Sequence, residues 1–218
     1  MPDASPNDAV IDLLGALAYG ELSAFDRLAD DARMAPTLSV RAQMSAMAAE
    51  QMRHYRLLSD RLIGLGADPA AAMEPFVAAL ETFHSLTEPS TWPESLVKAY
   101  VGDGMAADFY REVAEFVDAE TRALIHEVLA AEDKQTEFAV REVRAAIEAE
   151  PSIAGRLALW ARRLVGEAIS QTQHVLADRD SLMRLLMQGT GDLAAVAGLI
   201  GRITARHDQR MATLGLNP

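Results

Sequence analysis

The sequence predicts an all-α protein, with four helices in a bundle and two additional helices at the carboxyl-terminal end. Alanine, leucine, glutamate and arginine, all good helix formers, are abundant, whereas threonine and tyrosine are scarce. Apolar residues recur with the period of a helix, and no segment shows the sustained alternation that is typical of a half-buried strand. Half of the 218 residues are hydrophobic, so the chain can build a substantial core.

Start and stop signals divide the first part of the chain into two long helices. The first is predicted over about 7–32, with Ser5 and Pro6, or Asn7 and Asp8, at its start. Pro36 separates it from a second helix over about 37–65, which Gly66 and a following proline terminate. A less regular stretch over 67–90 follows, with a short helix predicted at 74–85.

Four more helices are predicted in the rest of the chain. The third begins at Ser90 or Thr91, with Glu94 in its first turn, and runs to about residue 117. The fourth runs over about 118–150, where Pro151 follows it. The fifth is predicted over 152–186 and the sixth over 192–214, separated by Gly189 and Gly191.

The lengths of the linkers predict how these helices are connected. Short links make helices one and two, and helices three and four, antiparallel neighbours. Between the two pairs lies a crossover of about 24 residues. Two hairpins joined by one long crossover is the ferritin-like topology rather than a simple up-and-down bundle. We therefore expect one ferritin-like domain over 1–218, with a core bundle over about 7–150 and added helices over about 151–214.

Composition and charge exclude several classes of protein. The chain has no cysteine, which excludes a disulfide scaffold, a thiolate metal site, an iron–sulfur cluster and a cysteine nucleophile. No apolar run approaches the ~20 residues needed to span a bilayer, and the first ten residues lack the features of a secretory signal. The sequence therefore predicts a cytoplasmic protein that does not enter the membrane.

The net charge of -12 is distributed unevenly along the chain. Residues 151–218 carry eight arginines against one glutamate and four aspartates, a net charge of +3. Residues 1–150 carry the remaining 12 basic and 27 acidic residues, a net charge of -15. The overall charge opposes nonspecific binding of nucleic acid, whereas the basic last third is compatible with it.

Ionisable and amide side chains interrupt the apolar stripe of each of the four bundle helices. A polar residue on an inward stripe must be paired or must bind something. One carboxylate on the first helix of each hairpin is followed, 30 or 29 residues later, by a polar pair at i and i+3 on the next helix. Such a pair shares one face of its helix. The inward residues are Glu21, Gln51 with His54, Asp103, and Glu132 with Gln135.

The chain also resembles a known family. The segments that carry the resemblance are AYGELSAFDRLADDA, EQMRHYRLL, STWPESLVKAYVGDGMAADFYREVA and LALWARRLVGEAISQ. They are similar to ferritin-like proteins related to the tRNA hydroxylase that oxidises the isopentenyl group of methylthio-isopentenyl-adenosine, and to a hydroxylase-like branch of that family. The resemblance implies a carboxylate-bridged di-iron site, dioxygen, an external electron donor and a modified tRNA adenosine as substrate.

Carried over residue by residue, the resemblance makes Glu21, His54, Asp103 and Glu132 conventional ligands of iron. Gln51 stands where a bridging glutamate is expected and Gln135 where the second histidine is expected. A glutamine carbonyl is a weaker ligand for iron than a carboxylate or an imidazole. One metal, a weakened pair of metals with Glu50 recruited, and no metal at all therefore stay open. No catalytic residue is expected beyond the metal ligands.

Several alternatives accompany this interpretation. The inward polar residues also suit a hydrogen-bonded core in a non-catalytic binding or structural protein of the same fold. Asp108 is the rival inward carboxylate of the third helix. The arginines of the last third either face the phosphates of tRNA or form a solvated face with acidic partners, and the sequence leaves a homo-oligomer open. These arginines are Arg156, Arg162, Arg163, Arg202, Arg206 and Arg210.

Overall fold

The computed structural model describes the backbone of residues 6–130, 132–191 and 193–217. It describes the side chains of the same residues except 6, 132–135, 188, 190 and 193–195. Within these ranges the chain forms α-helices joined by short links, and no β-strand occurs. The all-α fold class is confirmed.

The helices are numbered here in chain order. The first hairpin is α1 (Pro6–Asp31) and α2 (Leu38–Gly64), and α3 (Pro69–Leu86) is the crossover. The second hairpin consists of α4 (Trp92–Lys98), a π-helical turn (Ala99–Asp103) and α5 (Gly104–Ala114), followed by α6 (Ala119–Leu129) and α7 (Glu132–Ala149). The carboxyl-terminal helices are α8 (Ile153–Asp178), α9 (Asp180–Thr190) and α10 (Leu193–Leu214).

The crossover is more regular than the sequence suggested. Instead of a short helix at 74–85, α3 begins at Pro69, because Asp68 caps it by accepting a hydrogen bond from the backbone N–H of Ala71 at 3.2 Å. It packs against α1 and α8. A Cβ added at Gly15 would overlap the backbone carbonyl of Ala72, so the glycine allows the two helices to approach closely.

Two of the predicted helices are interrupted. The third contains the π-helical turn, and the fourth is divided into α6 and α7. The extra residue of a π turn shifts the faces of the helix that follows it. In a continuous α-helix Ala106, three residues after Asp103, would share its inward face; it is instead exposed, whereas Ala107 and Asp108 are buried.

The predicted fifth helix is divided at Arg179 into α8 and α9, so three helices rather than two follow the second hairpin. Helix α8 packs on α3 and α4, α9 on α1, and α10 on α5 and α9. These helices cover the bundle, as expected of additions to it. No helix in the described ranges is both long and apolar enough to cross a membrane.

The interior consists of two apolar clusters stacked along the bundle. The first contains Leu17, Leu58, Val113 and Ile125 and the second contains Leu28, Met44, Val101 and Phe138, so each of the four helical segments contributes to both clusters. On the three segments whose inward polar side chains are described, the change from one cluster to the other occurs at those residues. We call the described ones, Glu21, Gln51, His54 and Asp103, the polar layer.

Candidate metal centre

The contact at the centre of the polar layer joins Glu21 on α1 to His54 on α2. Glu21 Oε2 lies 3.2 Å from His54 Nδ1, and only 11% and 3% of the two side chains are exposed. Burial raises the pKa of Glu21, partly offset by the hydrogen bond and the charge of His54. A neighbouring cation would stabilise the ionised form of this buried carboxylate.

The other face of the imidazole lies towards Glu50, one helical turn before His54 on α2. Glu50 Oε1 is 3.4 Å from His54 Nε2, and Arg53 Nε donates a hydrogen bond to the same oxygen at 2.7 Å. This hydrogen bond with Arg53 lowers the pKa of Glu50. Glu50 thus places a negative charge beside the imidazole, whose Nε2 is buried and makes no hydrogen bond with the described residues.

Gln51 completes the part of the layer that α2 contributes. It is 7% exposed, and it lies one turn before His54 on the same face of the helix. The predicted pair Gln51 and His54 is therefore buried together. Gln51 can offer a carbonyl oxygen but no charge.

Asp103 ends the π-helical turn, and 35% of its side chain is exposed. Its Oδ1 lies 3.9 Å from Arg27 Nη2. Burial raises the pKa of Asp103 to about 6, Arg27 opposes that shift, and the charge of Glu21 adds to it. The charge of Glu21 thus reaches Asp103, but the described contact of the Asp103 carboxylate is the one with Arg27.

Asp108, the rival carboxylate, serves a different part of the molecule. It bonds to Arg210 of α10, and it lies 3.7 Å from Arg206 and 3.5 Å from Arg111. Only 4% of its side chain is exposed. Asp108 therefore attaches α10 to α5 and is not part of the polar layer.

The remaining predicted ligands, Glu132 and Gln135, have side chains outside the described residues. The helix that carries them, α7, begins at Glu132, and its sequence places both residues between the two apolar clusters. Their role as ligands stays a prediction.

The described donors fit a metal ion in part. Two donors that share one metal at about 2.1 Å lie roughly 3.0 to 3.4 Å apart, the spacing of Glu21 Oε2 and His54 Nδ1. Glu50 lies 3.4 Å from Nε2, on the side where a carboxylate commonly orients a metal-bound histidine, but it accepts no hydrogen bond from that nitrogen. Among the side chains that the structure describes, however, no three histidine, aspartate or glutamate groups converge into a complete ligand set. A third donor must come from Asp103 after movement, from Gln51, or from Glu132.

The sequence did not predict the basic residues that lie beside the polar layer. Arg27, Lys98 and His84 lie next to one another: Arg27 Nη1 is 3.0 Å from His84 Nδ1, and Lys98 Nζ is 3.5 Å from the His84 carbonyl oxygen. Burial, with the charges of Arg27 and Lys98, lowers the pKa of His84 to about 2. The one usable signal was Lys98, one of only two lysines in the chain, within an otherwise apolar turn.

A small crevice opens beside Asp103, between α2, α7 and the π-helical turn. It has a volume of about 30 Å³ and is lined by Met44, Met47, Tyr100 and Thr136 among others. This is space for one or two water molecules. A small gas molecule can be accommodated there, but a modified nucleoside requires the crevice to open.

Most of the arginines predicted as a phosphate-binding set have acidic partners. Arg202 and Arg206 lie 2.7 and 3.0 Å from Glu112, Arg156 lies 3.4 Å from Glu94, and Arg210 bonds to Asp108. These pairs support the interpretation of a face with local acidic partners.

The comparisons with known proteins agree with this architecture. A family model described as a ferritin-like domain of actinomycetes matches residues 4–189, which is most of the chain. No curated protein matches the sequence significantly.

Proposed function

The chain belongs to the ferritin-like domain family, and we propose that it binds iron at Glu21 and His54 and uses it for a dioxygen-dependent oxidation. The observation that carries the proposal is the buried contact of 3.2 Å between these two side chains. It lies where two apolar clusters meet inside a ferritin-like bundle, which is where proteins of this architecture hold metals.

Each residue around this contact has a role that its surroundings support. Glu21 and His54 would hold the metal, and Glu50 would accept the Nε2–H of His54 so that Nδ1 faces Glu21. The apolar clusters above and below exclude bulk water. Tyr110 keeps its proton, because burial and the charge of Glu21 raise its pKa. Iron, when bound, supplies the activation of dioxygen.

The proposed substrate is a modified adenosine in tRNA, and electrons would come from an external donor. The support for this substrate is the sequence resemblance to the tRNA hydroxylase, together with the basic carboxyl-terminal third. The internal pairing of Arg202, Arg206 and Arg210 reduces what these residues can offer to phosphates.

One observation favours a second candidate, a non-catalytic ferritin-like protein. Asp103 lies 3.9 Å from Arg27 and so has an internal cation as its partner. A core that is stabilised by ion pairs, with no metal, would show the same arrangement. In that case the polar layer is structural, and replacing its residues changes stability rather than metal content.

Metal analysis separates the two candidates. The protein would be expressed with added iron, purified without chelator, and compared with Glu21→Gln and His54→Gln variants by elemental analysis. We expect at least one iron per chain in the parent and less than a tenth of that in both variants. The matched control is Glu127→Gln, which removes an exposed carboxylate of α6 and should keep the iron. A folded parent without metal would reject the proposal in favour of the second candidate.

Activity and substrate require two further measurements. Dioxygen consumption by the iron-loaded, chemically reduced protein should exceed that of the Glu21→Gln variant at equal concentration. Filter binding of bulk tRNA at two salt concentrations should show retention that weakens as salt rises. Absence of any retention would remove tRNA from the proposal while leaving the oxidation chemistry intact.

A further inference from the structure

Arg27, on α1, places a guanidinium beside Asp103 inside the bundle. Its Nη1 donates a hydrogen bond to Ser23 Oγ at 2.9 Å and contacts the ring of His84. Its Nη2 is directed to Asp103 at 3.9 Å. Contacts with both α1 and α3 thus hold the guanidinium in place. Only 24% of the Arg27 side chain is exposed.

A guanidinium in such a position needs compensating negative charge. Asp103 and Asp31 are close enough to favour its charged form. Lys98, 5% exposed, adds a second cation, and its Nζ donates a hydrogen bond to the carbonyl oxygen of Thr87 at 2.7 Å. Arg27, Asp31, Lys98 and Asp103 together line a second small crevice. The surroundings of Asp103 therefore already contain two cations, Arg27 and Lys98.

We propose that Arg27 takes the place of a second metal ion, so that this ferritin-like centre holds one metal, at Glu21 and His54, and Asp103 is the counter-ion of Arg27. The inference rests on the proposed function, since it assumes that the first metal binds. In this arrangement Asp103 neutralises Arg27 and is not a ligand of the metal.

Two features of the chain support a single-metal centre. A second metal needs its own strong donors, whereas Gln51 replaces an expected carboxylate and Gln135 an expected imidazole, and a glutamine carbonyl is the weaker ligand. Asp103, the carboxylate of the second hairpin whose side chain the structure describes in the polar layer, faces a guanidinium that cannot lose its proton at ordinary pH. A divalent ion next to Arg27 would be repelled at short range in a poorly hydrated interior.

The first test measures how many cobalt(II) ions bind to each metal-free full chain. Calorimetry and the visible spectrum of the bound ion report the binding. We expect one ion per chain. Two ions per chain would overturn the inference but leave the proposed function standing. No bound ion would overturn the proposed function and the inference with it.

The second test removes the internal cation. Arg27→Gln should bind the first cobalt(II) at least tenfold more tightly than the parent, because Asp103 is released and the repulsion is lost. Arg33→Gln is the matched control, since it removes the same charge from an exposed site paired with Asp30, and should bind like the parent. An Arg27→Gln variant that folds and shows unchanged affinity and stoichiometry would contradict the inference.

The third test does not depend on the folding of the Arg27 variant. Asp103→Asn should leave one cobalt(II) per chain with an unchanged visible spectrum, and should bind it more weakly than the parent, because Arg27 then lacks its counter-ion. An altered spectrum, or a loss of the ion that an additional Arg27→Gln substitution does not restore, would identify Asp103 as a ligand and overturn the counter-ion role.

Discussion

Glu21 and His54 are 33 residues apart in the chain, yet their side chains lie 3.2 Å apart and almost completely buried. The contact joins the two helices of the first hairpin at one level of the bundle. The carboxylate alone would be costly at this depth, since burial raises its pKa. The contact is therefore stable when the imidazole or a metal ion provides positive charge beside it.

The position of Glu50 predicts an indirect effect on metal affinity. Glu50→Gln should weaken binding of cobalt(II) by about 10- to 100-fold without changing the stoichiometry, as removal of a residue that orients a metal-bound histidine does. Glu127→Gln is the control, because Glu127 also contacts Arg53, at 3.6 Å. Equal affinities of the two variants, measured by calorimetry, would show that Glu50 does not orient His54.

The neutral state of His84 predicts a pH dependence of stability. Its pKa is lowered to about 2, so between that value and 6.5 the unfolded chain binds a proton that the folded chain does not. Stability is therefore fully present above pH 6.5 and falls as the pH falls through this window. From pH 7.5 to 5 the loss would be about 2 kcal/mol for a fully buried ring, and about 1 kcal/mol after allowance for its partial exposure.

Urea unfolding of the metal-free protein at several pH values measures this effect. Asp103 and Glu21, with raised pKa values, change stability in the opposite direction, so the informative quantity is the difference between parent and variant. His84→Gln keeps an acceptor for Arg27 and should reduce the loss of stability between pH 7.5 and 5 by about 1 kcal/mol. The exposed His174→Gln should follow the parent; equal slopes for all three proteins would rule the effect out.

Helical periodicity predicted the fold class and most of the polar layer, but not the register beyond Asp103. The pattern made Ala106 inward because it assumed a continuous α-helix, whereas the π-helical turn Ala99–Asp103 displaces the face by one residue. Such a turn depends on packing against α7 and α8, which no local pattern encodes. The sequence therefore offered Asp103 and Asp108 as rival inward carboxylates, and the structure assigns Asp108 to the contact between α5 and α10.

The cations of the layer were not predictable for a related reason. Arg27 does not lie on the inward stripe of α1, and it reaches Asp103 only because of where the second hairpin docks. Lys98 is buried because its ammonium group bonds to the last carbonyls of the crossover helix, an arrangement set by tertiary contacts. Spacing along one helix can identify ligands that share a face, but not a counter-charge contributed by another element.

The assignment of Asp108 to the α5–α10 contact predicts a change in stability without a change in metal content. Asp108→Asn leaves Arg206 and Arg210 without their buried carboxylate, and should lower the free energy of unfolding by about 3 kcal/mol. Glu115→Gln, at an exposed pair with Arg122, should cost less than about 0.5 kcal/mol. Loss of bound cobalt(II) from the Asp108→Asn variant would show that this carboxylate, and not the polar layer alone, supports the metal.

The close approach of the crossover helix to α1 predicts opposite effects of two similar substitutions. Gly15→Ala would drive a methyl group into the backbone carbonyl of Ala72, which cannot rotate away, and should lower the free energy of unfolding by about 2 to 3 kcal/mol. At Gly20, on the same helix, a Cβ would meet no described atom within 4 Å. Gly20→Ala should therefore stabilise the protein by up to about 1 kcal/mol, because alanine is the better helix former.

Urea unfolding of the two alanine variants, both in the metal-free state, measures their free energies of unfolding and tests this prediction. The difference between them should reach about 3 kcal/mol, although each changes one hydrogen into one methyl group on α1. A Gly15→Ala variant as stable as Gly20→Ala would mean that α3 is free to move away from α1. The crossover would then not be the rigid cover that this packing implies.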